Sequence, residues 1–368
     1  MKCKDLDEKA RREYKSVRYY PFGNSASSPF ILTSDPLGYL IAWLEQKLNS
    51  IQRDSGSQRN KYVKAIYFTQ LAVDFNNSAQ GAKMPSKGTL IYYSLINLVK
   101  VYLIINGYDL ETKVEHHGLS LPPTYKEKIK LTSQTGDYIS IFHEFAKTLG
   151  KPISPGGSDI KISDLLRSLP EVHELGYALE LFPSSKRKYL PVEIIIRTNP
   201  PRTKLYYTIA YEKKFDTQMK TDKLVKGELK KIITKIEDLE DDPNRCYFKS
   251  IMKISYTKKS EKSWNMCYPK LVTDLKRLNI VSMLSRDGYR HYIDLEPNRM
   301  HRLNSVLAFA FYLGTVARYR PTLNEEILKG KYQAIINEAV TSIPNQFFYL
   351  MTSHITSQVC AIPKAKLD

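Results

Sequence analysis

Apolar and small residues run almost unbroken from Val306 to Ala317, interrupted only by the hydroxyls of Tyr312 and Thr315. A helix that is apolar on every side is buried on every side. Asn304–Pro321 is also shorter than the ~20 apolar residues a bilayer span needs. The pattern therefore predicts a central core helix. Its end, Arg318-Tyr319-Arg320, sets cations at the negative pole of the helix dipole, and Pro321 stops the helix. A second apolar run, Leu90 to Ile105, carries Lys100 inside it and has Gly107 placed to cap its end. Before it, Leu37, Leu40, Ile41, Leu44 and Leu48 share one face of a helix that Ser34 or Asp35 would cap. Tyr62, Ala65, Ile66, Leu71 and Ala72 mark a further helix.

The pattern changes in the middle of the chain. Glu115 to Ser120 reads as a turn, Asp137 to Gly150 as a helix, and short helices follow Ser163 or Asp164 and Pro170. Val192–Arg197 and Lys204–Glu212 are β-branched or alternating runs joined by Asn199-Pro200-Pro201, which predicts neighbouring antiparallel strands. Tyr247–Tyr256 and Tyr289–Leu295 read as two more. Leu229, Ile232, Ile233 and Ile236 suggest an amphipathic helix over Leu224–Glu240, and a further helix begins at Cys267. After the central helix, Glu325–Ile343 and Asn345–Ser357 read as two helices separated at Pro344. The expected class is α+β, predominantly α-helical, with a helical core from the N- and C-terminal segments and a small central antiparallel β-containing region. The expected divisions are a charged segment and loop over 1–34, a helical region over 35–185, the β-containing region over 186–300, and C-terminal helices over 301–368 packing back on the N-terminal region. The two apolar helices are then expected to touch.

With 42% hydrophobic and 26% charged residues in a 368-residue chain, a sizeable core is expected. The net charge of +18 favours nucleic acid or acidic partners, although the cations are scattered and form no long basic block. Cys3, Cys246, Cys267 and Cys360 fit neither a zinc pattern nor a disulfide framework, which points to a reducing compartment. The charged N-terminus lacks the apolar region of a signal peptide. A cytoplasmic protein is expected, with nucleic acid or another protein subunit as partner, no membrane, and no cofactor or metal.

Candidate chemistry begins with Tyr93, Asn97 and Lys100, one stripe of the first apolar helix. An ammonium there needs a partner. Either a carboxylate or carbonyls pin it structurally, or it belongs to an anion- or partner-binding site made of Tyr93, Asn97, Lys100, His117, Arg318 and Arg320. His116 and His117 beside Glu115 lack a third ligand at metal-binding spacing. Lys186, Arg187, Lys188, Arg197, Arg202 and Lys204 cluster around the first two strands with Tyr189, Tyr206 and Tyr207 interleaved. That is either a nucleic-acid surface with stacking rings or a solvated face. Two strings match the Arg-x(4–6)-His spacing of HEPN-type RNases, Arg167 to His173 and Arg286 to His291, but neither lies on one continuous predicted helix. Glu193 with Glu212-Lys213-Lys214 could hold the metal of a nuclease, yet Glu-x-Lys recurs through the chain. No P-loop, dinucleotide-binding glycine pattern or nucleophile elbow is present. Whether the protein is an enzyme stays open, and no catalytic residue is assigned.

Two stretches together resemble the bacterial YaaC-like family: Leu90 to Lys100 followed by His117-Gly118-Leu119, and the late helix ending Arg318-Tyr319-Arg320-Pro321. The likeness covers residues 35–350. Leu323-Asn324 stands where the family often has a Trp, which marks a divergent member. The resemblance implies no reaction. It implies an intracellular bacterial protein, with some relatives found beside antiviral defence genes. The function expected is binding of nucleic acid or a protein partner in a defence or stress context, and the alternative is a metal-dependent or HEPN-type nuclease.

Overall fold

The computed structural model describes residues 12–13, 30–52, 55–110, 112–132, 136–199, 203–221, 227, 229–236, 244–256, 261–285, 288–296 and 300–363. The chain divides into two compact units. One takes Arg18–Leu181 with Met300–Asp368 and is mainly helical. The other takes Met1–Val17 with Phe182–Arg299 and is built on a sheet. The class is α+β, predominantly α-helical.

The first described strand, β1 (Arg12–Glu13), pairs within the sheet unit. The helical unit starts at β2 (Phe30–Leu32), followed by α1 (Pro36–Asn49), α2 (Gly56–Gly81) and α3 (Met84–Ile105). Asp35 caps α1, its carboxylate accepting from the Gly38 N–H at 2.9 Å. The buried positions of α2 are small: Ala65, Thr69, Ala72 and Ala79. That stripe lets α2 lie close along α3, where the Ser94 hydroxyl donates to the Ala72 carbonyl at 2.7 Å. α3 is long and apolar enough to cross a membrane, and 72% of its most apolar stretch is buried inside the protein. Between Ile91 and Ile104 only Tyr93 and Lys100 escape full burial.

Short strands come next: β3 (Val114–His116), β4 (Leu119–Ser120), β5 (Lys128–Leu131) and β6 (Tyr138–Ser140). They are followed by α4 (Ile141–Thr148), β7 (Ile160–Lys161), α5 (Ile162–Arg167) and α6 (Pro170–Ala178). His116 therefore ends a strand that pairs in parallel with β6, and the turn proper starts at His117-Gly118.

The sheet unit holds β8 (Tyr189–Thr198), β9 (Lys204–Glu212), α7 (Asp216–Thr221), β10 (Ile233–Ile236), β11 (Arg245–Ser250), β12 (Ile254–Ser255), α8 (Glu261–Lys276), β13 (Ile280–Ser285) and β14 (Gly288–Asp294). Its strands run antiparallel in the order β10-β11-β9-β8-β14-β13, with β1 on β8 and β12 on β9. The amphipathic helix expected over Leu224–Glu240 is a correction. Its described part is a helical Gly227, a short turn of 3₁₀ helix at Leu229–Lys231 and then β10. Isoleucines at 232, 233 and 236 fit either period over so short a run, and pairing with β11 decides for the strand. α8 begins before Cys267 and buries Leu271, Val272 and Leu275. Tyr207 donates to Asp274 of α8 at 2.8 Å, fastening it to the sheet.

The chain returns to the helical unit as α9 (Arg302–Tyr319), α10 (Pro321–Lys329), α11 (Gln333–Thr356) and β15 (Val359–Ala361), which pairs in parallel with β2. Every residue of α9 from Leu303 to Val316 is buried. The two helices expected around Pro344 are one. Pro344 lies inside α11, flanked by buried Val340, Ile343, Phe347 and Phe348. Burial on both sides of the proline outweighs the ~3 kcal/mol it costs a helix interior. α3 and α9 meet through two glycines. A Cβ on Gly88 would stand 3.0 Å from the Leu313 Cβ, and one on Gly314 would stand 3.1 Å from the Tyr92 Cβ. Thr89 also donates to the Gly314 carbonyl at 3.3 Å.

Candidate functional site

Consecutive tyrosines on α3 each hold one polar residue. The Tyr92 hydroxyl lies 2.6 Å from His117 Nδ1, and the Tyr93 hydroxyl accepts from Arg318 Nη1 at 2.5 Å. The two rings are 5.8 Å apart. Phe311 of α9 packs edge-on against Tyr92, and Phe75 of α2 stacks on Tyr93. These ring contacts and the two hydrogen bonds hold both side chains in place.

Arg318 sits at the end of α9. Its Nε donates at 3.0 Å to the Gly314 carbonyl one turn back, the carbonyl that Thr89 of α3 also meets. Its guanidinium lies over the rings of Tyr93, at 5.2 Å, and Tyr319, at 5.0 Å. Among the described residues no carboxylate pairs with it. Lys100 differs: Glu115 neutralises it at 2.5 Å, and its ammonium lies over Phe68. Asn97, buried, donates back to the Tyr93 carbonyl at 2.9 Å. Arg320 turns elsewhere, donating to the carbonyls of Tyr125 at 2.6 Å, Leu121 at 2.8 Å and Pro122. It ties the Leu121–Tyr125 loop to the end of α9.

Burial, then the charges of Arg318, Lys100 and His116, push the His117 imidazole down to about 4. It is neutral at pH 7. Burial drives the Tyr92 hydroxyl well above its ordinary range despite the opposing pull of Arg318, so it keeps its proton. The hydroxyl of this buried residue needs an acceptor, and His117 Nδ1 is the one in reach. The His117 proton then resides on Nε2, which has no partner among the described residues. The local groups with hydrogens to give are His117 Nε2, the Tyr93 hydroxyl and Arg318 Nη2. A set of donors around one cation matches an anion.

Beside this group, Ser140 lies 2.5 Å from His143 Nδ1, and His116 Nδ1 accepts from the Gly118 N–H at 3.0 Å. Gly118 has φ +78, and a Cβ there would fall 2.0 Å from the Ser140 hydroxyl, so this turn requires glycine. Of the residues singled out from sequence, Tyr93, Arg318 and His117 come together through Tyr92 and Tyr93. Tyr92, Ser140 and His143 were not singled out. The signal for Tyr92 was its place beside Tyr93 on the same helix.

In the sheet unit the basic cluster is dispersed. Lys186 and Lys204 are exposed, and Arg187 donates to the Tyr189 carbonyl at 3.0 Å while lying over Phe215. Lys188 is 3% exposed, 3.5 Å from Asp294, and donates to the Glu296 carbonyl. Arg197 is 4% exposed and donates to the Thr208 hydroxyl at 3.0 Å. Tyr189, Tyr206 and Tyr207 are buried. Arg202 lies outside the described residues. For the nuclease patterns, Glu193 pairs with Arg245 and Glu212 with Lys214. Arg167 ends α5 while His173 lies on α6. Arg286 lies outside the described residues. No group of three or more His, Cys, Asp or Glu side chains among the described residues is placed to hold a metal ion.

A family model described as YaaC-like Protein matches residues 32–355, nearly the whole chain. No curated protein and no solved structure matches. The chain belongs to the YaaC-like family.

Proposed function

We propose that this member of the YaaC-like family is a nucleic-acid-binding protein that receives a backbone phosphate on its helical unit, at Arg318, His117 and Tyr93. The observation that carries the proposal is Arg318. It is a partly buried guanidinium answered by a tyrosine hydroxyl, a carbonyl and two rings, with no carboxylate partner among the described residues. A structural cation in such a setting normally has an anion, and Lys100, on the same helix as Tyr93, has one in Glu115. The net charge of +18 would draw a polyanion to the surface before the local donors engage it. A cytoplasmic defence or stress setting is part of the proposal and rests on the family resemblance.

The test is fluorescence anisotropy of labelled RNA and DNA against the purified chain at physiological salt. Arg318→Ala and His117→Ala should each weaken binding about ten- to hundredfold, the range expected for a hydrogen bond to a charged group. An absence of binding, or variants that bind like the parent, would overturn the proposal. The same samples with Mg²⁺ or Mn²⁺, run on a gel, test the nuclease alternative. Shortened products would replace the binding function with a catalytic one.

A further inference from the structure

We infer that the nucleic acid this site takes is single-stranded, with an unpaired base stacked on Tyr319 while its phosphate sits at Arg318. The inference rests on the phosphate function proposed above and goes further by naming the form of the ligand.

Tyr319 follows Arg318 directly and is 70% exposed, the most open of the large apolar side chains among the described residues. It does not hang free. The Arg318 guanidinium lies 5.0 Å from its ring centre and the Tyr93 ring lies on the same guanidinium, so cation and ring form one layered group. Arg320, the next residue, is fixed by three loop carbonyls. The backbone carrying Tyr319 is therefore held from both sides while most of its ring remains in solvent. An aromatic surface placed beside a phosphate-type donor set matches a nucleotide whose base is accessible. In a duplex the bases are stacked within the helix and their faces are closed to such a ring.

The charge count points the same way. Glu115 neutralises Lys100, and His117 is neutral at pH 7. Three of the five guanidinium N–H groups of Arg320 are taken up by carbonyls. Arg318, with two of its five N–H groups engaged within the protein, has the most left for a ligand, which suits one phosphate rather than a run of them. Local contact of that kind gains its affinity from the base as much as from the backbone.

The experiment measures anisotropy for a labelled single strand, the same sequence as a duplex, and the matching mononucleotide. It compares the parent chain with Tyr319→Ala, Tyr319→Trp and Arg318→Ala over a series of salt concentrations, with circular dichroism to confirm folding. Tighter binding of the single strand is expected. Tyr319→Ala should weaken it roughly five- to hundredfold, and Tyr319→Trp should retain it. Arg318→Ala should lower the slope of log affinity against log salt by about 0.7, one phosphate's share for a single strand. Equal binding of strand and duplex with no effect of Tyr319→Ala would overturn the inference and leave the phosphate function standing. A mononucleotide that binds as tightly as the strand would overturn the strand itself as the ligand. No binding by the parent, or an indifferent Arg318→Ala, would remove the phosphate function beneath it.

Discussion

The sheet unit and the helical unit both set cations beside tyrosines, and they use them in opposite ways. In the sheet unit Lys188 and Arg197 point inward, one to Asp294 and a carbonyl, the other to a threonine hydroxyl, and the neighbouring tyrosines are core residues. In the helical unit Arg318 stops at the edge of the core, held by a tyrosine hydroxyl and two rings. Between Lys188 and Arg318 the difference lies in what answers the charge: Asp294 in the first case, and no carboxylate among the described residues in the second. A cation matched inside the fold is costly to remove, because its partner charge is then left buried and unpaired. One held in place without a matching anion is what the proposed phosphate site requires.

The contrast is sharpest in unfolding experiments. Lys188→Ala leaves the Asp294 carboxylate without the ammonium 3.5 Å away, in a place where little water reaches it. Breaking a pair of this kind costs about 3–5 kcal/mol, and denaturant unfolding should read that loss while any nucleic-acid affinity of the folded fraction is unchanged. Arg318→Ala should do the reverse. Its guanidinium is partly exposed and makes no ion pair among the described residues, so unfolding should shift by about 1–2 kcal/mol, the worth of its hydrogen bonds and ring contacts, while binding falls by the factor given above. If Arg318→Ala proves as destabilising as Lys188→Ala, the two cations have the same role and the comparison collapses.

Gly314 joins the two properties. A Cβ there would stand 3.1 Å from the Tyr92 Cβ, and valine would add two methyl groups to that crowded crossing of α3 and α9. Overpacking of this sort costs about 1–3 kcal/mol. Separating the helices would also move Tyr92 with His117 and Tyr93 from Arg318, so Gly314→Val should lose stability and binding together. A variant that loses stability and binds normally would show that the donor group does not depend on the spacing of the two helices.

The sequence made parts of this legible and hid others for physical reasons. α3 and α9 were readable because a helix apolar all round has one place to go, and the polar interruptions Tyr93 and Lys100 are the two positions of the Ile91–Ile104 stretch that reach the edge. The same logic failed on β8 and β9. Both strands are buried over most of their length, so Arg197 in β8 does not mark a solvent face, while Lys204 at the start of β9 does. The tie between Tyr92 and His117 was hidden because it spans a turn whose path depends on Gly118 in a left-handed conformation. β10 and the continuous α11 were misjudged where short-range patterns, isoleucine spacing and an internal proline, yielded to pairing and burial.

The smallest effect concerns pH. His117 titrates at about 4 in the folded protein against an ordinary 6.5, chiefly through burial. The unfolded chain therefore binds the proton first as pH falls. The stability that comes from keeping this imidazole neutral is complete above about pH 6.5 and is lost progressively between 6.5 and 4. His301, at about 3, and His354, at about 4, act in the same direction, so the total slope is not diagnostic of His117. The difference between the parent and His117→Asn isolates it. The parent should lose more stability than the variant between pH 7 and pH 5.5, by less than about 1 kcal/mol because solvent reaching the exposed His117 screens the effect, read by denaturant unfolding at each pH. Nucleic-acid affinity should stay nearly level over that interval, because the folded His117 remains a neutral donor throughout. Affinity that rises steeply as the pH drops would mean that His117 binds as a cation. It would then belong with Arg318 as a second charge, and one phosphate would no longer account for the site.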